Sequence, residues 1–403
     1  MKSGWQTKTL GDVCSFENGD RGTNYPSRAA QTACGIPFIN AGHLTDNGID
    51  IENLNFIPRE RFDLLTNGKI RSGDILFCLR GSLGKFASVG TMSEGAIASS
   101  LVIVRPRESV SDRFLLAYFQ SDLCADMIER FKNGAAQPNL SAQSLANFAI
   151  PVPPLPEQHR IVGILDEAFE GIATAKANAE QNLRNARAIF DRHLESVFTQ
   201  RGDGWVDKRL GDVAESISTG PFGTMLHKSD YVADGIPLVN PMNMVDFAII
   251  PSSRMMVTAK TRDRLSVYVL KVGDVVIARR GELGRCALVT DREAGWLCGT
   301  GSFFLRLSRV MDGEFFVALF GSKPFVKRLE ANSVGTTMSS LNHGILNELV
   351  LPVPPLSEQH SIMTRARTLL AETERLRSVY ERKLAALDEL KKSLLHQAFA
   401  GEL

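Results

Sequence analysis

The sequence predicts an α+β fold made twice over: two pseudo-symmetric globular domains joined by two long antiparallel helices that form a coiled-coil bar. Three observations predict it. The stretch PVPPLPEQH at 151–159 returns as PVPPLSEQH at 352–360. Other segments repeat around it in the same order, at an offset of 200 that becomes 201 late in the chain: LGDV at 10–13 and 210–213, GIPFIN at 35–40 and GIPLVN at 235–240, GDILFCLRGSLGK at 73–85 and GDVVIARRGELGR at 273–285, GAAQPNLS at 134–141 and GTTMSSLN at 335–342. Self-similarity of this kind marks tandem copies of one structural unit. Finally, each proline stretch opens a long segment whose apolar residues step by three and four. The chain therefore divides into a first domain at 1–151, a long helix at 152–200, a second domain at 201–351 and a second long helix at 352–403.

Within the first domain, short β-rich runs such as Ile36 to Asn40, Asp74 to Leu79 and Leu101 to Val104 are bounded by Gly, Pro and Asn, as strands are. Near its end, Ser111 can cap one helix running to about Lys132, with Phe114, Ala117, Tyr118, Leu123, Met127 and Phe131 near one apolar face. Asn139 or Ser141 can cap a shorter helix. The second domain repeats this order, with Asp312 to Ala331 as its main helix. Strands followed by helices in one unit argue for α+β.

In the proline stretch, Pro151, Pro153 and Pro154 fix φ, lack N–H donors and hold their predecessors extended, so no helix starts before Leu155. Pro156 suits the first turn, where its missing N–H costs nothing. At the same place in the second copy, Ser357 is expected to serve as N-cap. Glu157 and Glu358 then meet the positive end of the helix dipole. The first seam runs through Ile161, Leu165, Ala168, Ile172, Ala175, Ala179, Leu183, Ala186, Phe190, Leu194 and Val197. The second runs through Ile362, Ala366, Leu369, Leu376, Tyr380, Leu384, Leu387 and Leu394. Such seams need a partner. At 1.5 Å per residue each helix makes a rod of about 60 Å, and two matched seams in one chain favour an intramolecular antiparallel pair with one domain at each end over pairing with another chain.

With 44% hydrophobic and 23% charged residues the chain is ordinarily globular, and its net charge of +1 makes no global case for a polyanion partner. Any basic patch has to be sorted in three dimensions. The six cysteines have neither CxxC nor zinc spacing, so buried free thiols in a reducing compartment are expected. With no apolar stretch of spanning length and no apolar core at the N-terminus, the sequence points to a soluble cytoplasmic protein.

The most informative local chemistry is the RGSLGK/RGELGR loop. Each copy follows a strand, turns on two glycines and projects cations: Arg80 and Lys85 in the first, Arg279, Arg280 and Arg285 in the second. Such groups hold DNA phosphates or, as Arg, read guanine in the major groove. The loop is not a Walker A loop, since only two residues separate Gly81 from Gly84 and Phe86 follows Lys85. Donors in other loops are further candidates: Arg21, Asn24 and Arg28 in ENGDRGTNYPSRAA, His227 and Lys228 in STGPFGTMLHKSDY, and Gln137 and Thr336 in the loops near 137 and 336. For each of these a solvated surface side chain is at least an equal explanation. No catalytic constellation is visible: there is no HExxH, GxSxG or nucleotide-binding glycine fingerprint, and Asn240-Pro241 is followed by Met-Asn, which spoils an NPP[FY]-type methyltransferase motif. His159 and His360, matched in the two copies, read as capping or packing groups.

Tandem domains each closed by PxPPLxEQ, with LGDV, GIPhhN and GDhhhxxRGxxG inside, resemble the specificity subunit of a Type I restriction-modification system over essentially the whole chain. The resemblance implies two target-recognition domains, each reading half of an asymmetric bipartite site in double-stranded DNA, with the helices docking two modification subunits and with them restriction subunits. It also implies a chain that is not itself catalytic and carries no cofactor or metal. S-adenosylmethionine for adenine methylation, and ATP with Mg for translocation and cleavage, are expected on the partner subunits. The rival classes are a coiled-coil scaffold or adaptor without direct sequence-specific DNA reading, and a methyltransferase or nuclease acting unaided.

Overall fold

A computed structural model describes residues 4–45, 48–134, 138–332 and 340–403. The chain divides into two compact units: residues 1–180 with 382–403, and residues 181–381. Each unit thus holds one globular domain, the opening half of the helix that follows it and the closing half of the other long helix.

The centre of the first domain is an antiparallel four-stranded sheet in the order Cys14–Asn18, Leu101–Pro106, Ile75–Cys78, Phe86–Ser88. The second domain repeats it as Ala214–Thr219, Ser302–Leu307, Val275–Ala278, Cys286–Leu288. Strands Ile75–Cys78 and Val275–Ala278 are buried throughout, which explains why they read as unbroken apolar runs instead of alternating. One sheet face packs on the helices that follow and the other on a smaller sheet built around Ile36–Ile39 or Ile236–Val239. Beneath the sheet, Asp74 is 1% exposed and accepts from Arg105 Nε at 2.7 Å, Arg105 Nη2 at 2.8 Å and the Arg71 N–H at 2.8 Å. The second copy keeps the backbone bond, from the Lys271 N–H to Asp274 at 2.9 Å, but holds its arginine through one bond, Arg306 Nε at 3.2 Å.

The domain opens and closes on the same ribbon. Gln6–Thr9 pairs antiparallel with Ala149–Val152, and Val206–Arg209 with Val350–Val353, so the strand leading into each proline stretch is fastened to the start of its own domain. The helix at Leu10–Val13 then turns the chain into the sheet. A Cβ at Gly11 would sit 3.2 Å from the Ala146 carbonyl, and one at Gly211 3.1 Å from Asn347 Oδ1, so glycine is suited to this tight approach.

Three expectations are corrected. The single helix from Ser111 to Lys132 is two, Asp112–Gln120 and Asp122–Phe131, because Ser121 is extended; its hydroxyl donates to the Tyr118 carbonyl at 2.6 Å and accepts from the Cys124 N–H. Leu123 is accordingly exposed. The second domain breaks likewise into Gly313–Phe320 and Lys323–Asn332. Ser357 is not an N-cap: the C-terminal helix runs Leu356–Ala400, and the Pro355 carbonyl accepts the first helical bonds, as Pro154 does for Leu155–Gln200. Finally, five of the six cysteines are buried but Cys34 is exposed.

Of the first seam, Ile161, Leu165, Ile172, Ala179, Ala186 and Leu194 are buried. In the second, Ile362 and Ala366 are buried, but Leu376 is 42% exposed and Thr373, three residues earlier, is buried in its place. Within the first unit the helical segments are antiparallel, since Arg160 donates to the Leu403 carbonyl at 2.7 Å while Lys176 pairs with Asp388. Their ends dock on the domains through matched rings. Phe399 lies 5.1 Å from Phe114 and 5.7 Å from Tyr118 in the first unit; its counterpart Phe198 lies 5.7 Å from Phe315 in the second.

The glutamine of each proline stretch explains why the motif recurs. Gln158 and Gln359 are fully buried. Gln158 Oε1 accepts from the Ser111 N–H at 2.8 Å, and its Nε2 donates to the Ser109 carbonyl at 3.1 Å and the Pro153 carbonyl at 2.9 Å. Gln359 makes the same set with the Asp312 N–H at 2.7 Å and the Val310 and Pro354 carbonyls at 2.9 Å each. One neutral amide thereby ties the first turn of the long helix to the loop that begins the domain's helical layer. Its hydrogen bonds meet the cost of burying polar groups.

Candidate nucleic-acid interface

The RG loops are the hairpin turns between the third and fourth strands of each main sheet. Ile75–Cys78 pairs with Phe86–Ser88 and Val275–Ala278 with Cys286–Leu288, leaving residues 79–85 and 279–285 as the connection. Both glycines of each loop take left-handed backbone, Gly81 at φ +80° and Gly84 at +84°, Gly281 at +84° and Gly284 at +87°, a conformation that disfavours side chains with a Cβ. The loop base is fixed by the segment ahead of the next helix: Arg80 bridges Asn139 and the Leu140 N–H donates to the Leu79 carbonyl at 2.9 Å, while Arg280 bridges Ser340 and the Leu341 N–H donates to the Arg279 carbonyl at 3.0 Å. The buried Cys78 thiol donates to the Arg80 carbonyl at 3.0 Å, and burial raises its pKa.

The candidate side chains do not all share one surface. Arg80 and Lys85 are exposed, as is Arg280. Arg285 is tied down, in an ion pair with Glu282 and donating to the Pro241 carbonyl at 3.4 Å. Arg279 lies over the buried ring of Phe303, 5.8 Å from its centroid, and its Nε is buried with no hydrogen-bond partner. Arg21 is exposed and 3.5 Å from the Ser99 carbonyl; Asn24 instead holds its loop, donating to the Leu64 carbonyl at 3.1 Å. Arg28, His227 and Lys228 are exposed on short 3₁₀ turns, with the His227 N–H given to Asp230 at 2.8 Å. Gln137 and Thr336 lie outside the described residues. His159 and His360 are both exposed, not packing groups, and His360 stands 3.5 Å from Asp312.

In the first domain Arg21 and Arg80 come together. They border a cleft of about 430 Å³ whose floor is Leu79, Leu140 and half-buried Phe16 and whose rim adds Asn18, Asn139 and Gln143. The loop bearing Arg21 is anchored beside it by Asp20, whose carboxylate accepts from the Gly22 N–H at 2.7 Å and from Thr66 at 3.0 and 3.1 Å; these bonds, the Gly22 bond first, hold its pKa below the usual carboxylate range. The arrangement offers exposed cations and amides on a rigid sheet-and-helix base. Among the described residues no group of three or more His, Cys, Asp or Glu is placed to hold a metal, and no helix is long and apolar enough to cross a membrane.

The family model for the Type I restriction modification DNA specificity domain matches this chain twice, at residues 2–183 and 202–378. The chain belongs to that family. It is 24% identical over 388 residues to the Type I restriction enzyme EcoKI specificity subunit of Escherichia coli K12, covering 91% of this chain and 82% of that one. To the StySPI specificity subunit of Salmonella potsdam it is 22% identical, covering 100% and 90%. Among solved structures, a chain from work on complex assembly and conformational transition of the type I R-M system superposes with a TM-score of 0.78 at 21% identity, covering 100% of this chain and 99% of that chain. The HsdS subunit from Thermoanaerobacter tengcongensis gives 0.67 at 21% identity, covering 100% and 98%. These likenesses establish the specificity-subunit fold, with its two domains and long helices.

Three polar residues that no repeated motif singles out lie beside the RG loops. Asn18 ends a strand, Gln143 lies in a five-residue helix and His343 opens its counterpart in the second domain. None stands in a repeated motif. Their signal was positional: each neighbours a segment whose copy is recognisable.

Proposed function

We propose that this chain is the DNA sequence-recognition subunit of a Type I restriction-modification complex. Its two domains read the two unlike halves of a bipartite site in double-stranded DNA, and the chain positions catalytic partners without catalysing a reaction itself. The observation that carries this is the pair of matches to the DNA specificity domain, one on each copy of a duplicated unit. Two domains with one frame and different loops suit a target whose halves are alike in placement and different in sequence.

On this reading two modification subunits dock on the long helices and, with S-adenosylmethionine, methylate adenine. A base inside a duplex has to be flipped out for such chemistry, a task that falls to those subunits. Restriction subunits using ATP and Mg for translocation and cleavage complete the assembly. The near-neutral chain fits a complex in which partners supply a large part of the phosphate contacts.

The test is to map methylated adenines in DNA treated with this chain plus its modification partner. The expected result is one asymmetric bipartite motif, of which exchange of residues 1–151 for those of another specificity subunit changes one half. Methylation without sequence preference, or methyl transfer by this chain alone, refutes the proposal.

A further inference from the structure

The cleft beside Arg80 in the first domain has a set of equivalent positions around Arg280 in the second, and the side chains at those positions differ. Strand register makes the equivalence exact in sequence terms: Asn18 faces Val102 where Thr219 faces Phe303, Asn139 bridges Arg80 where Ser340 bridges Arg280, and the Leu79 and Arg279 carbonyls accept the same backbone bond. What the copies share at the cleft is the exposed arginine, Arg80 or Arg280. What they do not share is the remaining polar chemistry.

The first rim carries three amides beside Arg21: Asn18, Asn139 and Gln143, all exposed over the apolar floor of Leu79 and Leu140. In the second domain those places are taken by Thr219, Ser340 and Gly344, while the floor residue Leu79 becomes Arg279 and Ala142 becomes His343. Arg279 and His343 gather on one ring: the guanidinium lies 5.8 Å from the Phe303 centroid and the imidazole packs edge-on against it at 6.1 Å. Phe303 is itself buried, so both cationic or donor groups rest on a fixed platform, and the Arg279 Nε is left without a partner.

Resting on the DNA-recognition proposal above, we infer that Asn139 and Gln143 read bases in the first half-site, that Arg279 and His343 read bases in the second, and that Arg80 and Arg280 hold phosphate in both. Phosphate contacts fix register without carrying sequence information and base-edge contacts carry it; a side chain kept in both domains suits the first role, and side chains that differ between domains with unlike targets suit the second. Side-chain amides pair bidentately with the N6/N7 edge of adenine and guanidinium with the O6/N7 edge of guanine. The first half-site is therefore centred on adenine and the second on guanine at the positions these residues face.

The experiment is selection from a random-duplex library by the full chain assembled with its modification partner, with bound DNA sequenced and salt dependence measured. The Asn139→Ala/Gln143→Ala variant is expected to relax an adenine preference in one half-site by about five- to 150-fold, leaving the other half intact. Arg279→Leu, which installs the first domain's residue, and His343→Ala are expected to relax a guanine preference in the other half. Arg80→Ala and Arg280→Ala should weaken all sequences alike and reduce the slope of log affinity against log salt by about one each. Rim variants that keep both half-site preferences overturn the inference, as do folded rim variants, checked by thermal melting, that lose binding to all sequences equally. An altered base preference in Arg80→Ala overturns the phosphate assignment. A wild-type complex with no bipartite preference instead refutes the functional proposal on which the inference rests.

Discussion

Gln158 and Gln359 make the same three hydrogen bonds in the two units, whereas the polar side chains around Arg80 and Arg280 differ. The joint between domain and long helix thus repeats almost atom for atom while the neighbouring surface does not. The joint is buried and its backbone partners have fixed positions, so one side chain satisfies them. The cleft faces solvent, where an Asn, a Ser or a Gly is compatible with the same backbone. On the proposed reading, repetition in this chain serves assembly and divergence serves recognition.

The largest expected effects lie at the ring contacts that end each long helix. Phe399→Ala is expected to destabilise the first unit, and Phe198→Ala the second, by about 3–5 kcal/mol each, the usual cost of emptying a large buried site. Hydrogen exchange resolved by segment checks it: protection should fall around 112–120 in the first variant and around 313–320 in the second. Equal loss in both units from either variant would contradict the matched docking.

The buried ion pair separates the units by a smaller margin. Arg105→Ala leaves Asp74 with a single backbone donor and should cost on the order of 3 kcal/mol. Arg306→Ala should cost less, because Asp274 holds only one bond to that arginine and burial already raises its pKa toward the neutral acid. Denaturant midpoints of the two variants, followed by probes in each unit, provide the measurement.

Replacing the joint glutamines sharpens what repeats. Gln158→Leu and Gln359→Leu each leave one N–H and two carbonyls without the amide, at a cost of about 1–3 kcal/mol for a buried unpaired group. Equal penalties in the two units are expected from limited proteolysis. The cap ahead of LGDV gives a smaller contrast: Thr9 accepts from the Asp12 N–H in a capping box, whereas Arg209 provides no cap. Thr9→Ala should lose about 1 kcal/mol and Arg209→Thr should gain a fraction of that, read as shifts in melting temperature.

The smallest effect is in pH dependence, where the units should move in opposite senses. Asp20 has a depressed pKa in the folded chain, so its contribution is present above the unfolded value of about 3.9 and is lost as pH falls through the folded one. Asp274 has a raised pKa, so the folded unit binds its proton first and stability falls as pH rises from the unfolded value through the folded one. Asp20→Asn should flatten the stability profile below about pH 3.9, and Asp274→Asn should flatten it above that value.

Much of the architecture was legible because the chain repeats itself. The proline stretches placed the openings of both long helices, and the glycine spacing placed both RG hairpins. The reading failed where side chains compete with a simple period. Ser121 breaks a helix whose apolar pattern runs through it, and the second seam exchanges Leu376 for Thr373. The seams were read as ending at Val197 and Leu394, yet Phe198 and Phe399 are buried because the helix ends pack on a domain core and no longer follow the coil's period. Of the candidate contacts, Arg21 and Arg80 border one cleft, while Asn24 and Arg285 are committed to hydrogen bonds within the fold.

The duplication, the openings of both long helices and the family resemblance were fixed by sequence, since each is carried by local residue patterns that survive without coordinates. Tertiary structure alone decided that Gln158 and Gln359 fasten the rods and that Asn18, Asn139 and Gln143 meet Arg80 at one cleft. The physical reason is range. Proline, glycine and apolar spacing act over a few residues, whereas a buried amide's partners and a cleft's rim come from segments as distant in sequence as Asn18 and Gln143 that the sheet brings together.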